Sequence, residues 1–241
     1  MDGTQRNKGQ MRKLTIVCVC FIASGIGAAL IPVRWTPGTQ TPTEVPEETQ
    51  SIQYMYTASL PERILQIQDV QERKQCLIEI LLPLVLRANE TILKQRLMVD
   101  DIKGRLPYLS REDEEILNSL ARLYLVPQGP PEVMVEELLM RVDVLPVSLV
   151  LAQAAIESGW GTSRFSIKGN NIFGMRTFSG YGMVPSQRPE GERFAVSVFD
   201  DLQSCIDYYL WNINTNPKYE ELRYIRSRSS GPYNSYALVH G

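Results

Sequence analysis

Apolar positions along this chain of 241 residues change their period several times, and each change marks a predicted element. Residues 14–33, LTIVCVCFIASGIGAALIPV, form an uncharged run of about 20 residues, long enough for a helix to cross a bilayer. Residues 35–50, WTPGTQTPTEVPEETQ, show neither a helical nor a strand period and are rich in Pro, Thr and Glu, as in a semi-extended tether. From residue 61 to 142 apolar residues recur at helical spacing. Within CLIEILLPLVLRANETILKQRLMV, Pro83 either kinks one long helix or starts a second. Ser110-Arg111-Glu112-Asp113 resembles a capping box, with Asp in place of the usual Glu or Gln, and Ile116, Leu117, Leu120, Leu123 and Tyr124 form the predicted buried stripe. Pro127 to Pro131 is a turn, and Glu132 to Arg141 a further amphipathic helix.

Pro146 is suited to the first position of the next helix, PVSLVLAQAAIES. Its apolar residues surround the axis, which predicts a central, buried helix terminated by Gly159 and Gly161. RFSIKGNNIFGMR follows as a loop, its Gly169, Asn170, Asn171 and Gly174 favouring tight turns. In residues 181–199, Phe194, Val196 and Val198 alternate with Arg193, Ala195 and Ser197 after the segments YGMVP and RPEG, which predicts a β-hairpin. Asp200 or Asp201 caps LQSCIDYYLWNI, and PKYEELRYIRSR forms a last short helix. The fold class is mainly α (α+β), with a small β-hairpin beside the central helix.

Charge and composition narrow the chemistry. A net charge of −2 and the lack of a basic stripe argue against nucleic acid. The only histidine is His240, and there is no Cys/His zinc spacing, so Ser-His-Asp, Cys-His and His-rich metal chemistry are excluded. Acid-base work then falls to carboxylates, Tyr, Lys or Cys. Cys18 and Cys20 lie in the apolar run, and Cys76 and Cys205 read as buried small hydrophobes. Arg6, Lys8, Arg12 and Lys13 precede the apolar run and only Arg34 follows closely, which predicts a cytoplasmic N-terminus and an exported body. A retained anchor is favoured over a cleaved signal peptide, although Gly25, Gly27, Ala28 and Ala29 are small.

Glu157 ends the apolar helix. Burial and the negative end of the helix dipole both oppose its charge, as a general acid requires. Glycosidic cleavage needs such an acid and a second group; Glu190 and Glu192 on the hairpin are candidates, while Asp200 and Asp201 are better explained as helix caps. The residues alone leave two readings of Glu157 open, a helix end that carries Glu and a catalytic acid.

The strings LAQAAIESGWGTSRF and KGNNIFGM resemble the glucosaminidase family, glycoside hydrolase family 73, which cleaves the glycan strands of bacterial peptidoglycan. VPSQRPEGERFAVSVFDDLQSCIDYYLWNINTNPKYEELR and DVQERKQCLIEILLPLVLRANETIL resemble its Bax subgroup. The resemblance implies a lysozyme-like α-lobe with a small β-lobe, Glu157 as catalytic acid, and hydrolysis of the β-1,4 bond between N-acetylglucosamine and N-acetylmuramic acid. It implies a turn motif at Gly159, Gly161 and Ser163, a cleft-shaping loop at Gly169, Asn170, Asn171, Phe173 and Gly174, and substrate contacts from Gln153, Trp160, Asn171, Phe173 and Tyr181. The second group stays open among Glu190, Glu192 and the substrate's own N-acetyl group. A lytic transglycosylase and a non-catalytic envelope binding protein are the alternatives.

No metal or cofactor is implied. The expected partners are peptidoglycan strands and, through the N-terminal helix, the inner membrane, with the catalytic domain in the periplasm of a bacterial envelope. The expected organisation is a cytoplasmic basic segment (1–13), an anchor (14–33), a linker (34–55), a helical Bax-like region (56–145) packing on the catalytic domain, and a glucosaminidase domain (146–241). The subgroup also carries a Tyr-bearing string beyond YALVHG. This sequence ends at Gly241 before it, with Tyr233 and Tyr236 in a different context, so the domain is expected to be C-terminally incomplete.

Overall fold

A computed structural model describes residues 58–179 and 181–228. The basic segment 1–13, the apolar run 14–33, the linker 34–55, Tyr233, Tyr236 and His240 lie outside the described residues. Among the described residues no helix is long and apolar enough to cross a membrane.

Helix α1 (Val70–Arg105) starts where Asp69 accepts a hydrogen bond from the Glu72 amide at 2.8 Å, and it runs unbroken through Pro83. The proline removes one backbone bond, yet Leu81, Leu84 and Val85 around it are buried, and packing holds the helical path. Of the two sequence alternatives, the single long helix is the one formed. It packs against α3 (Pro131–Arg141), α4 (Val147–Glu157) and α6 (Leu202–Thr215).

Helix α2 (Arg111–Leu123) opens with the expected capping box: the Asp113 amide donates to Ser110 Oγ at 3.1 Å, and the Ser110 amide to Asp113 Oδ2 at 3.0 Å. Leu117, Leu120 and Tyr124 are buried as predicted, but Leu123 is exposed. The helix ends there and Leu125 turns left-handed (φ 56°), which takes Leu123 off the packed stripe.

Helix α4 departs further from expectation. Pro146 is its N-cap, and the helix is buried on one face only, through Leu149, Val150, Ala154 and Ala155. Ile156 is 62% exposed. The even spread of apolar residues around the axis predicted burial on all sides; α1 covers only one side, and the other is left facing outward.

Helix α5 (Arg164–Gly169) lies where a loop was expected. Ser163 accepts from the Ser166 amide at 3.1 Å, and Asn170 ends the helix in the left-handed region at φ 51°. A helix of 6 residues is too short for its period to be read from sequence.

The β-structure is smaller than the predicted hairpin. β1 (Arg176–Thr177) pairs antiparallel with β2 (Ala195–Val196), Arg176 opposite Val196, and Met183 bridges the other side of Val196 with bonds of 2.8 and 2.9 Å. Phe194, Ala195 and Val196 are all buried, against the predicted alternation. Gly182 explains part of this: at φ 155° its backbone lies so close that a Cβ would stand 2.6 Å from the Val196 carbonyl oxygen and 3.0 Å from Ala195 Cβ. Asp201 caps α6 by accepting from the Ser204 amide at 2.7 Å, and α7 (Glu220–Ser227) closes the described chain after a 3-10 turn at Pro217–Tyr219.

A polar node inside the helical layer had no sequence signal. Arg226, 1% exposed, donates to Asn214 Oδ1 at 2.8 Å and to the Arg141 carbonyl at 3.1 Å. Its Nε lies 3.7 Å from Asp143 Oδ2, which Arg96 of α1 approaches to 3.5 Å. A buried charge survives only with such partners, so this node sets how α7 docks on α1 and α3. Cys205 is buried and Cys76 half-buried, both as free thiols; burial pushes the Cys205 thiol up to about 12.

Candidate active site

The candidate site starts at the end of α4, where Glu157 is the last helical residue. The chain must turn at once, and Gly159, Trp160 and Gly161 take φ values of 58, 59 and 80° in succession. For tryptophan this left-handed conformation costs about 1–2 kcal/mol, so something outside the turn must hold it.

Part of the hold is local. Ser158 is fully buried, and its Oγ accepts from the Gly161 amide at 2.8 Å. The Trp160 amide reaches back to the Ala155 carbonyl at 2.8 Å, and the Ser163 amide to that of Ser158 at 2.9 Å. The rest comes from far upstream in the sequence. A Cβ on Gly161 would stand 2.9 Å from Ile64 Cδ1, 3.2 Å from Leu77 Cδ1 and 3.4 Å from Leu60 Cδ1. Lys74 Nζ lies 5.0 Å from the centre of the Trp160 ring. Ile64 in the 3-10 turn Glu62–Gln66 and the first turns of α1 thus grip the segment that follows Glu157.

The second wall is the loop after α5. Asn170 donates to the carbonyls of Phe199 and Asp200 at 3.0 and 3.2 Å. Asn171 donates to those of Met175 and Ser197, both at 2.9 Å, and accepts from the Met175 amide at 2.9 Å. Phe173 stacks on Tyr209 of α6 with ring centres 3.8 Å apart and planes within 7°. So fastened, the loop brings Gly174 (φ 64°) against the end of α4, where a Cβ would lie 3.6 Å from Glu157 Oε2. Gly169 accepts from the Phe199 amide at 3.0 Å and lies under Met183 and Val198, which ties the same loop to the β-structure.

Three expectations change here. Glu157 is exposed at the helix end, so the apolar sheath inferred from its flanking sequence is not around it. Its helix lies on the surface along one side, and the carboxylate projects from that side. Asn171 and Phe173, expected to touch substrate, are buried, and their side chains are used inside the protein to shape the loop. Trp160 is half-buried against the core beneath Lys74.

Gln153 is half-buried one helical turn before Glu157, on the same face. Tyr181 is exposed on the β-lobe with Phe178 and Val184. Glu190 and Glu192 are both exposed within a run of turns, where the Glu192 amide bonds the Pro189 carbonyl at 3.2 Å and Gly191 has φ 87°. Their side chains form no hydrogen bond or ion pair among the described residues. Ser163 caps α5, and Asp201 caps α6. Sequence reasoning missed Leu60, Ile64, Lys74 and Leu77, since an apolar period signals a covered face and not the element that will cover it. Gly182, between Tyr181 and Met183, carried a local signal as a glycine inside a strand pattern.

Comparison with known proteins finds a family match over the segment that carries these residues. Residues 133–238 match a family described as "Glucosaminidase: Mannosyl-glycoprotein endo-beta-N-acetylglucosaminidase". The match spans Glu157, the loop to Gly174 and the β-structure, whereas α1 and α2 lie upstream of it. The chain is also 28% identical over 175 residues to "Protein bax" of Escherichia coli (strain K12), an alignment covering 70% of this chain and 61% of that protein. No solved structure matches.

Proposed function

From the premise that residues 133–238 are a glucosaminidase-family domain in a Bax-like chain, we propose that the protein is a glycosidase acting on peptidoglycan, with Glu157 as general acid. The bond cleaved in this reading is the β-1,4 linkage between N-acetylglucosamine and N-acetylmuramic acid. Its location is the bacterial cell envelope, with residues 14–33 as a single inner-membrane span and the hydrolase domain in the periplasm.

The observation that supports the reading best is the approach of the Gly174 backbone to the Glu157 carboxylate. On that side the carboxylate meets backbone without a side chain, and the exposed helix end can receive a sugar ring. In the proposed reaction Glu157 donates its proton to the glycosidic oxygen as the C–O bond breaks, and positive charge develops on the sugar ring. A bound glycan covers the carboxylate and strengthens its hydrogen bond to the leaving oxygen. Glu190, Glu192 or the substrate's N-acetyl group then meets the anomeric carbon or activates water. Gln153 and Tyr181 contact the strand, while Asn171, Phe173 and Trp160 hold the walls. The lysozyme-like description of the α-lobe belongs to the same proposal.

The test is digestion of purified peptidoglycan by the full chain in detergent, alongside Glu157→Gln, with mass spectrometry of the products. Expected are new reducing N-acetylglucosamine ends from the unsubstituted protein, and a loss of roughly 10²–10⁴-fold in rate for the variant. Equal rates would remove Glu157 from the chemistry. Anhydro-muramyl ends would identify a transglycosylase, and no products from either protein a binding role.

A further inference from the structure

A concave surface lies between α1, the end of α2 and α6. This groove has a volume of about 380 Å³ and is lined by the rings of Tyr124, Tyr208 and Trp211 together with Gln95, Asp207 and Leu123. None of these belongs to the site around Glu157.

The rings are held in place. Trp211 Nε1 donates to the Leu123 carbonyl at 2.7 Å, and the Tyr124 hydroxyl to Gln95 Oε1 at 2.5 Å. Tyr208 is 40% exposed and lies 5.4 Å from Trp211 and 5.6 Å from Phe199, centre to centre. Phe199 is bonded through its backbone to Gly169 and Asn170, at the start of the loop that carries Gly174 to Glu157. An aromatic series therefore runs from the loop of the candidate active site to the groove.

The polar atoms of the groove are half used. Gln95 spends its oxygen on Tyr124, and its amide donors have no partner. Asp207 Oδ1 accepts from Gln203 Nε2 at 2.9 Å, and Oδ2 has no partner. Burial and, to a smaller extent, Asp201 push the Asp207 carboxyl upward, partly offset by Gln203 and Arg87. The groove therefore offers the partly exposed rings of Tyr208 and Trp211, with Tyr124 buried beneath, flanked by one open donor and one open acceptor. A pyranose fits this combination, since its C–H face packs on aromatic rings while its hydroxyls both donate and accept. An apolar peptide face would cover Asp207 Oδ2 and the Gln95 amide without pairing them, and an anion would meet the Asp207 charge.

We propose that this groove is an accessory binding site for the neutral pyranose rings of a glycan strand, separate from the site at Glu157. The identity of the strand as peptidoglycan rests on the proposed function above.

Two measurements on the full chain in detergent test it: co-sedimentation with insoluble peptidoglycan, and turnover of short soluble peptidoglycan fragments. Tyr208→Ser and Asp207→Ala remove the ring and the acceptor; Tyr224→Ser, an exposed tyrosine on α7, is the surface control. Expected is roughly fivefold to tenfold weaker sedimentation for the two groove variants, with fragment turnover and melting temperature unchanged and the control like the parent. Parent-level sedimentation of both variants, or no sedimentation of the parent, overturns the proposal. Loss of fragment turnover in step with binding, at unchanged melting temperature, overturns the separateness of the groove. A parent that sediments but cleaves nothing refutes the proposed hydrolase activity alone, because the binding difference is read without turnover.

Discussion

Gly174 presents its bare backbone to the Glu157 carboxylate, with φ 64° and room of 3.6 Å between a notional Cβ and Oε2. Gly174→Ala places a methyl in ordinary contact with the acid and forces an alanine into the left-handed region. The expected cost is about 1 kcal/mol of stability, read as a lower denaturant midpoint. Gly174→Val adds bulk against Oε2, and kcat on peptidoglycan should fall further than the stability loss explains.

Gly161 makes a tighter contact, since its Cβ would come within 2.9 Å of Ile64 Cδ1. Gly161→Ala is expected to destabilise by about 1–3 kcal/mol through crowding and strain. Ile64→Val removes the crowding methyl. The double variant should therefore lose less than the sum of the single losses, as a double-mutant cycle on urea unfolding would reveal. Strict additivity would show that the two side chains do not meet.

Asn171 satisfies Met175 and Ser197 with one carboxamide. Asn171→Asp replaces its two donor hydrogens with an acceptor facing two carbonyls. The buried carbonyls left without donors should cost about 1–3 kcal/mol, read as a lower denaturant midpoint, while the Met175 amide keeps its Oδ1 acceptor. An unchanged midpoint would contradict the assigned role.

Asp113 gives the fold a defined acid sensitivity. Hydrogen bonds from Arg105, then from Ser110, hold its carboxyl down to about 2. An unfolded aspartate titrates near 3.9, roughly, and the folded value lies below it. The stabilisation is therefore complete above that unfolded value and is lost as pH falls toward the folded one. Thermal melts between about pH 5 and 2 should show a decline that Asp113→Asn reduces.

Local chemistry was legible wherever partners are close in sequence. Ser110 and Asp113, Ser163 and Ser166, and Asp201 and Ser204 are each separated by three positions and cap helices. The end of α4 at Glu157 followed from the glycines after it. Exposure was less legible, because it depends on what else packs nearby. The same apolar spread that predicted a buried α4 leaves Ile156 at the surface. Residues 194–196 alternate in sequence yet are all buried, because Gly182 and its neighbours cross over them.

By itself the sequence determined the helical order, the caps, the turn after Glu157 and the residue types available for acid-base chemistry. These depend on backbone propensity and on hydrogen bonds across a few residues. Only the tertiary structure decided that Glu157 is exposed, that Gly174 lies beside it, and that Leu60, Ile64, Lys74 and Leu77 secure the turn. It also decided that Asn171 and Phe173 spend their side chains on the protein itself. Such outcomes depend on which distant surfaces meet, and an apolar period announces that a face will be covered without naming what covers it.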